Sequence, residues 1–213
     1  MKKIKSYART VSRTLSNAQK EILNNCLPKY KINLEKLIEF KNLNIEIGFG
    51  MGDFLYKLAL NNPSKIFWGM DVYTNGIVNL VRRAEESKLS NLFISNIDVS
   101  LVLNKLPDAI VDNFYILFPD PWPKAKHKKR RLVNSNLINI LTHKLKSKGE
   151  LLFVTDIESY YQEVKNTIQN QHLLKFCKHD SILTKYANDY MTKYHKKALI
   201  NSREINIILA SKV

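Results

Sequence analysis

Residues 44–71 constrain the fold more than any other stretch of this chain. A short apolar strand is predicted first, and it leads into three glycines at alternate positions, Gly48, Gly50 and Gly52. An apolar helix follows, and a second predicted strand ends at Asp71. Glycines let the backbone turn tightly and approach a ligand, and the helix start offers unpaired N–H groups. This order of elements is typical of an α/β unit that binds a nucleotide, with the acid on the ribose hydroxyls.

Two nucleotide-like ligands fit such a turn, a nicotinamide dinucleotide and S-adenosylmethionine. The dinucleotide fingerprint is G-x-G-x-x-G. This chain has G-x-G-x-G instead, and Glu46 lies two residues before the first glycine. A carboxylate at that position suits a cationic ligand better than a pyrophosphate, and S-adenosylmethionine carries an ammonium and a sulfonium group. We therefore predict that S-adenosylmethionine binds at Glu46, the three glycines and Asp71.

Three further predicted strands are followed by acids, namely Asp98, Asp120 and Asp156. In an open parallel sheet, ligands bind at the carboxyl ends of the strands. Asp98 is placed to reach an adenine amino group, and capping of the next helix is an equal alternative. Together with Asp71, these acids predict one ligand site along a single edge of the sheet.

Residues 114–131 read FYILFPDPWPKAKHKKRR and combine three features that nucleic-acid chemistry uses. Prolines on both sides of Asp120 hold its carboxylate at a strand end in a stiff turn. Trp122 either shapes this turn or stacks on a base, and six Lys or Arg residues and His127 follow within residues 124–131. Cations bind phosphate, an aromatic ring stacks on a base and a carboxylate binds a base edge. A solvated charged surface is the alternative interpretation of the cationic run.

The composition supports a single domain with a polyanionic partner. The chain has 213 residues, 45% of them hydrophobic, and a formal net charge of +15, which favours nucleic acid as the partner. We predict no membrane association, because no segment has the length of a membrane span and no basic amphipathic helix stands out. Cys26 and Cys177 are too few and too far apart for a metal site or a disulfide framework, and they fit a reducing cytoplasm.

The first 43 residues are predicted to form a basic N-terminal arm with short helices, and the main domain is predicted at residues 44–213. Residues 1–20 carry six Lys or Arg and no acid, which indicates an arm that binds nucleic acid or a frayed end. Residues 16–19 resemble a helix cap. A second short helix is predicted to present one face made of Leu34, Leu37, Ile38 and Phe40.

These motifs resemble the bacterial tRNA (guanine-N7)-methyltransferases, a class I family that uses S-adenosylmethionine. The resemblance covers nearly the whole chain and is strongest in FPDPWPKAKHKKRR, with IEIGFGMGDFL, GMD, VTDIE and TKY in the family's order. It implies a doubly wound, mostly parallel seven-stranded α/β sheet of Rossmann-like type. It also implies an enzyme that methylates N7 of the variable-loop guanine at tRNA position 46. It leaves a monomer and a homodimer both open, and it implies no metal.

The resemblance further implies roles for individual residues. Glu46, Asp71, Asp98 and Asp120 would contact the cofactor region. Residues expected at the target nucleotide are Lys124, Asp156, Thr192, Lys193, Tyr194 and, at the position where the family usually has Glu, His195. Residues expected on the RNA backbone are Lys126, His127, Lys128, Lys129, Arg130 and Arg131. The change at His195 and the lack of the family's glycines at 198–204 leave the shape of the target pocket open.

The chemistry of guanine N7 explains why acids rather than a base are expected. N7 has an in-plane lone pair and no proton to lose, so the enzyme must mainly orient it toward the methyl group. Positive charge then grows on the guanine ring, and a carboxylate aimed at the base stabilises it. We predict this role for Asp120, the candidate catalytic residue, and for Asp156, whereas Lys124 would bind phosphate or O6.

Two other functions are compatible with parts of the sequence. A methyltransferase that acts on exocyclic amino groups uses a related Asp-Pro-Pro-aromatic turn, but the order of prolines differs here. An RNA-binding or assembly protein that has lost catalysis would share the fold and the charge. The intact acids Glu46 and Asp71 and the glycines between them argue against that alternative.

Overall fold

A seven-stranded sheet forms the centre of the molecule in this computed structural model, which describes residues 14–177 and 192–213. The strands are β1 (Leu43–Ile47), β2 (Ile66–Asp71), β3 (Leu92–Asn96), β4 (Val111–Leu117), β5 (Leu145–Thr155), β6 (Leu174–Phe176) and β7 (Asn206–Lys212). Their order in the sheet is β3-β2-β1-β4-β5-β7-β6. β1 to β5 are parallel, and β7 runs antiparallel to both β5 and β6. The predicted fold class is therefore confirmed.

Helices cover both faces of the sheet. They are α1 (Asn17–Glu21), α2 (Asp53–Asn61), α3 (Thr74–Glu86), α4 (Ser135–Lys144), α5 (Glu158–Gln169) and α6 (Lys193–Ile200). Side chains of α2 and α3 belong to one apolar cluster, whereas those of α4 and α5 belong to another. β4 supplies both clusters, because Phe114 and Ile116 face one side and Tyr115 and Leu117 the other. A strand buried on both faces is expected to be a continuous apolar run, and residues 114–118, FYILF, are such a run.

The parallel register brings the acid-bearing strand ends to one edge of the sheet. Ile47 at the end of β1 pairs with Met70 in β2, and Asp71 pairs with Asn96 at the end of β3. On the other side, Leu117 at the end of β4 pairs with Val154 in β5. The loops that follow these ends therefore lie side by side, which is where an open parallel sheet binds its ligand.

The N-terminal segment packs on α3. Ser16 and Gln19 form a reciprocal capping box at the start of α1, which confirms the predicted cap. A short 3₁₀ helix at Leu27–Tyr30 follows, and the Tyr30 hydroxyl donates to Glu85 at 2.9 Å. The most basic part of the predicted arm, residues 1–13, lies outside the described residues.

The predicted second short helix exists, but two of its four predicted face residues, Leu34 and Ile38, are exposed. Residues Leu34–Glu39 form a 3₁₀ helix, which has three residues per turn. Leu37 is buried, and Phe40 stacks on Phe93 with ring centres 5.6 Å apart. Ile38 is 73% exposed, because the three-residue repeat turns it away from the face that Leu37 and Phe40 share.

Two other predictions about elements require correction. Val133, Leu137, Leu141 and Leu145 recur every four residues, which predicts one helix that holds the basic run in its first turn. The run instead forms a separate 3₁₀ helix at Ala125–Arg130. α4 begins only at Ser135, because the Asn134 side chain accepts from the Leu137 N–H and caps it there. Leu145 was assigned to the end of this helix and instead opens β5. α5 was not predicted.

None of the helices in residues 14–177 and 192–213 combines the length and the apolar character required to cross a bilayer.

Candidate active site

A cavity of about 380 Å³ opens at the carboxyl ends of β1, β2 and β4. The loop after β4 and the start of α6 complete its wall. The predicted site residues that line it are Glu46, Gly48, Gly50, Asp71, Asp120, Arg130, Thr192, Lys193 and Tyr194. Residues from four separate chain segments thus meet at the edge of the sheet that the strand-end acids indicated.

Asp71 holds the glycine turn through two backbone hydrogen bonds. Its Oδ2 accepts from the Gly50 N–H at 2.7 Å, and its Oδ1 accepts from the Tyr73 N–H at 2.8 Å. Burial raises the pKa of the Asp71 carboxyl, and the hydrogen bonds from Tyr73 and Gly50 partly oppose this rise. Each carboxylate oxygen has further acceptor capacity, so Asp71 can still accept a ligand hydroxyl.

Glu46 is a buried acid with unused hydrogen-bonding capacity. Its exposed fraction is 2%, and no group among the described residues hydrogen-bonds to its Oε2. Burial raises the pKa of this carboxyl well above its usual value, and the nearby negative charge of Asp71 raises it further. An uncompensated buried carboxyl is costly unless a partner satisfies it. A cationic group entering the cavity would supply that partner.

Two glycines, Gly52 and Gly76, allow close packing around the turn that follows β1. Gly52 was predicted to bind the cofactor, but it does not line the cavity. It has a φ of +76°, and a Cβ there would lie 2.9 Å from the Leu80 side chain, so it lets α2 pack on α3. Gly76 was missed, although an added Cβ would lie 1.8 Å from the Gly50 carbonyl oxygen. An isolated glycine inside a helical pattern was the available signal.

The turn after β4 carries an exposed Asp120 between two strained residues. Phe118 has a φ of 49° and Trp122 a φ of 41°. Residues with a Cβ avoid this left-handed backbone conformation unless the surrounding structure holds them in it. The Arg130 guanidinium lies 4.9 Å from the centre of the Trp122 ring, and the His127 ring meets it edge-on at 5.8 Å. Of the two roles considered for Trp122, the contacts favour shaping the turn.

The start of α6 forms a further part of the cavity wall. Thr192 caps this helix by accepting from the His195 N–H at 3.2 Å. The Tyr194 ring is exposed and lies nearly parallel to Phe118, with ring centres 6.4 Å apart. Tyr190 and Met191, which precede this turn, lie outside the described residues.

His195 does not lie where a target-nucleotide contact was predicted. It is 7% exposed and does not line the cavity. Its ring meets Phe118 edge-on, with ring centres 6.1 Å apart. The first turn of α6 places Tyr194 toward the cavity, and the next residue therefore points into the protein.

Two of the predicted acids are occupied by other contacts. Asp98 accepts from the Ser100 N–H at 2.9 Å and caps a short 3₁₀ turn, so the alternative role as a cap applies to it. Asp156 accepts from Arg203 at 2.8 Å. Both lie outside the cavity lining, as does Lys124.

The cationic run divides into outward and inward residues. Lys124, Lys126, Lys128 and Lys129 are exposed, whereas His127 and Arg130 are half-buried against Trp122. Arg131 was predicted on the RNA, and the structure contradicts this. Its side chain is fully buried and pairs with Glu163 at 2.6 Å, so it presents no donor to a ligand at the surface.

The described residues contain no cluster of three His, Cys, Asp or Glu side chains placed to hold a metal ion. The site residues are acids, cations and aromatic rings, a set that suits a charged organic ligand on one side and a polyanion on the other.

Comparisons with known proteins give three findings. A family model described as "Putative methyltransferase" matches residues 41–207. A "Bifunctional methyltransferase" of Rickettsia typhi is 39% identical over 206 residues, which is 96% of this chain but 40% of that protein. The chain thus spans about two fifths of the length of this relative. A "tRNA (guanine-N(7)-)-methyltransferase" of Francisella philomiragia is 33% identical over 223 aligned residues, 100% of this chain and 96% of that protein.

Among solved structures, the 16S rRNA methyltransferase KamB superposes with a TM-score of 0.57. The superposition covers 84% of this chain and 91% of KamB at 11% sequence identity. At this identity the likeness concerns the fold alone, and it agrees with the strand order described above.

Proposed function

We infer the activity from one premise: the chain belongs to the tRNA (guanine-N7)-methyltransferase family, whose members use S-adenosylmethionine. We propose that it transfers the methyl group of S-adenosylmethionine to N7 of a guanine in tRNA. We further propose that this guanine is the variable-loop residue at position 46. The observation that supports the activity most directly is a single cavity lined by two acids of β1 and β2 and also by Asp120 and Arg130.

The residues on the β1–β2 side of the cavity fit the methyl donor. The donor supplies an electrophilic methyl group on a sulfonium centre and carries a second positive charge on its ammonium group. Glu46 offers a buried oxygen without a hydrogen-bonding partner among the described residues, which suits a cation. Asp71 retains acceptor capacity for a ribose hydroxyl while it holds the Gly50 N–H. We propose that Glu46, Gly48, Gly50 and Asp71 bind the donor.

The residues on the β4 side of the cavity, together with the start of α6, suit a guanine that becomes positively charged. Because N7 loses no proton, the protein has to orient the base and stabilise charge rather than supply a general base. Asp120 is an exposed carboxylate in the wall of the cavity, and we propose that it acts on the base. Thr192, Lys193 and Tyr194 line the same cavity and are the proposed contacts of the target nucleotide.

Other predicted contacts enter the proposal with changed roles. Asp156 accepts from Arg203 through Oδ2 and lies outside the cavity lining. Because a carboxylate has further acceptor capacity, we propose that it contacts the target from outside this lining while the ion pair stays closed. Lys124, Lys126, Lys128 and Lys129 are exposed beside the turn, and we propose that they bind the phosphates of tRNA. We also propose that residues 1–43 form a basic arm with short helices beside a methyltransferase domain at 44–213, and that the protein acts in the cytoplasm.

The decisive experiment is methyl transfer to a defined RNA. An unmodified tRNA transcript is incubated with the protein and methyl-labelled donor, and the labelled nucleoside is identified and mapped. We expect 7-methylguanosine in the variable loop. The matched control is a transcript in which adenine replaces that guanine, and it should accept no label.

The same experiment separates the alternatives. Label on an exocyclic amino group would assign the protein to the related class of methyltransferases. Binding of both donor and tRNA without transfer would favour an RNA-binding protein that has lost catalysis.

A further inference from the structure

Arg131 is a fully buried cation at the end of an otherwise outward-facing basic run. Its side chain has no exposed surface, and its charge is paired with Glu163 at 2.6 Å. Burying a guanidinium is costly unless its donors are satisfied. The network that satisfies them links parts of the chain that are distant in sequence, and this indicates a specific task for the side chain.

The hydrogen bonds of Arg131 tie the proline turn to α5. Its Nε donates to the Pro121 carbonyl oxygen at 3.0 Å. On the other side of the guanidinium, Nη1 donates to the Ser159 carbonyl oxygen at 3.1 Å and Nη2 to the Ser159 hydroxyl at 2.9 Å. The guanidinium carbon also lies 4.5 Å from the centre of the Tyr160 ring. One planar group therefore joins the residue next to Asp120 to the first turn of a helix packed on the sheet.

The proline turn needs such a tie because it is strained. Phe118 and Trp122, two residues before and two residues after Asp120, both have left-handed backbone conformations. Residues with a Cβ stay in this region only when the surrounding structure determines them. Arg130 and His127 hold the Trp122 ring on the cavity side. Arg131 holds the turn from the interior through the Pro121 carbonyl.

We propose that Arg131 is a positioning residue of the methyl-transfer site, which fixes the turn between Phe118 and Trp122 and thereby the direction of the Asp120 carboxylate. The inference rests on the proposed function for its catalytic consequence. It does not require Arg131 to touch either substrate.

Lysine at this position tests the idea, since it keeps the charge but not the geometry. An ammonium group can pair with Glu163, but it lacks the planar fork that reaches Pro121 and Ser159 at the same time. Arg131→Lys should therefore leave the Asp120 turn less fixed while it preserves the buried ion pair. The control is Arg82→Lys, because Arg82 forms an exposed i,i+4 pair with Glu86 on α3 and does not line the cavity.

Tryptophan fluorescence gives a readout that does not depend on activity. The chain has two tryptophans, and Trp68 is 1% exposed, so a neutral quencher such as acrylamide reports on Trp122. We expect quenching of Trp122 to increase in Arg131→Lys and to stay at the wild-type value in Arg82→Lys. Unchanged quenching in a folded Arg131→Lys protein would overturn the proposal.

Kinetics test the catalytic consequence. At saturating tRNA and donor, the single-turnover rate of Arg131→Lys should fall by about tenfold to a hundredfold, the range expected for a misplaced catalytic group. Affinities for donor and tRNA should remain at wild-type values, because Arg131 touches neither ligand. A wild-type rate, or an equal loss of donor affinity, would contradict a positioning role.

Two further results keep the proposal separate from folding and from the proposed function. If Arg131→Lys does not fold, Ser159→Ala removes one acceptor of the network from an exposed residue and should raise quenching and slow transfer to a smaller extent; wild-type values for both would overturn the proposal. If the wild-type protein transfers no methyl group to tRNA, the proposed function fails. The quenching comparison still decides whether Arg131 fixes the turn.

Discussion

The two halves of the cavity present their acids in opposite ways. On the β1–β2 side, Glu46 is buried and Asp71 is half-buried and hydrogen-bonded to backbone N–H groups. On the β4 side, Asp120 is exposed in a turn between prolines, next to exposed lysines. A small cationic ligand can be desolvated in the first half, whereas a tRNA remains largely hydrated in the second. In the proposed function, regular strand ends therefore bind the small ligand and an irregular turn binds the large one.

The largest expected effect concerns the exposed half. Asp120→Asn keeps the size of the side chain and removes its charge, so turnover should fall roughly a hundredfold or more, with little change in tRNA affinity. Single-turnover kinetics at saturating ligands measure this. Asp108→Asn is the matched control, because Asp108 pairs with Lys144 and does not line the cavity. Near-normal turnover in Asp120→Asn would make Asp120 a structural turn residue.

The next effect concerns the donor half. Asp71→Ala removes the acceptor that holds the Gly50 N–H and faces the cavity. We expect donor binding to weaken by about 1.5–3 kcal/mol, the range for a lost hydrogen bond to a charged group. Calorimetry with donor, alongside a tRNA-binding assay, measures the difference. Equal weakening for both ligands would point to a folding defect and remove the division between the two halves.

The exposed lysines should affect tRNA alone. Replacing Lys126, Lys128 and Lys129 together by Gln should lower the slope of log affinity against log salt by roughly two to three units. Donor affinity should not change. The control replaces Lys36, Lys65 and Lys105, which are exposed and precede β1, β2 and β4, on the opposite edge of the sheet. If both triple variants gave the same slope, the run would be only a solvated surface.

The smallest expected effect is the release of a proton from Glu46 when the donor binds. Because burial raises the pKa of Glu46, this carboxyl is protonated in the ligand-free protein at pH values where an exposed glutamate is ionised. A bound cation favours the carboxylate, so donor binding should release up to about one proton and strengthen by at most about tenfold per pH unit as pH rises. Calorimetry in buffers with different ionisation enthalpies measures the released proton. Glu46→Gln should release none.

The same raised pKa sets the direction of a stability change. Without ligand, the contribution of Glu46 to the free energy of unfolding is fully present below the ordinary pKa of an exposed glutamate, which is its pKa in the unfolded chain. It is lost as pH rises through the higher folded-state pKa. Wild type should therefore lose stability relative to Glu46→Gln over this range. A constant difference between the two proteins would mean that Glu46 titrates normally.

Sequence patterns predicted that Glu46, Gly48, Gly50 and Asp71 lie together, and the structure brings them to one cavity, because the patterns are local there. The strand, the glycines, the helix and Asp71 follow one another within residues 44–71, and the pleat and helix periodicities fix where each residue points. The sequence did not show how residues of different helices and turns pack against one another. Gly52 and Gly76 serve contacts between α2, α3 and the turn, which depend on residues far along the chain.

On the β4 side of the cavity, the sequence predicted which residue types are present but not which way their side chains point. A run of cations does not reveal which one turns inward, and Arg131 does so because Glu163 and Ser159 on the unpredicted α5 satisfy it. A residue at the junction of a basic run and the apolar residues Leu132 and Val133 was the available signal. The predicted position of His195 at the target nucleotide was wrong for a similar reason. The cap at Thr192 determines where α6 begins, and this start determines which of its side chains face the cavity.

The antiparallel insertion of β7 between β5 and β6 has a consequence for biosynthesis. β6 precedes β7 in the chain but has β7 as its partner in the sheet, and β5 pairs with β7 along Glu150–Thr155. As the chain leaves the ribosome, one side of β5 therefore presents open backbone groups until residues 206–212 emerge. Such an edge can pair with another nascent chain. A pause in translation between β6 and β7 should be the moment at which this protein most needs a chaperone.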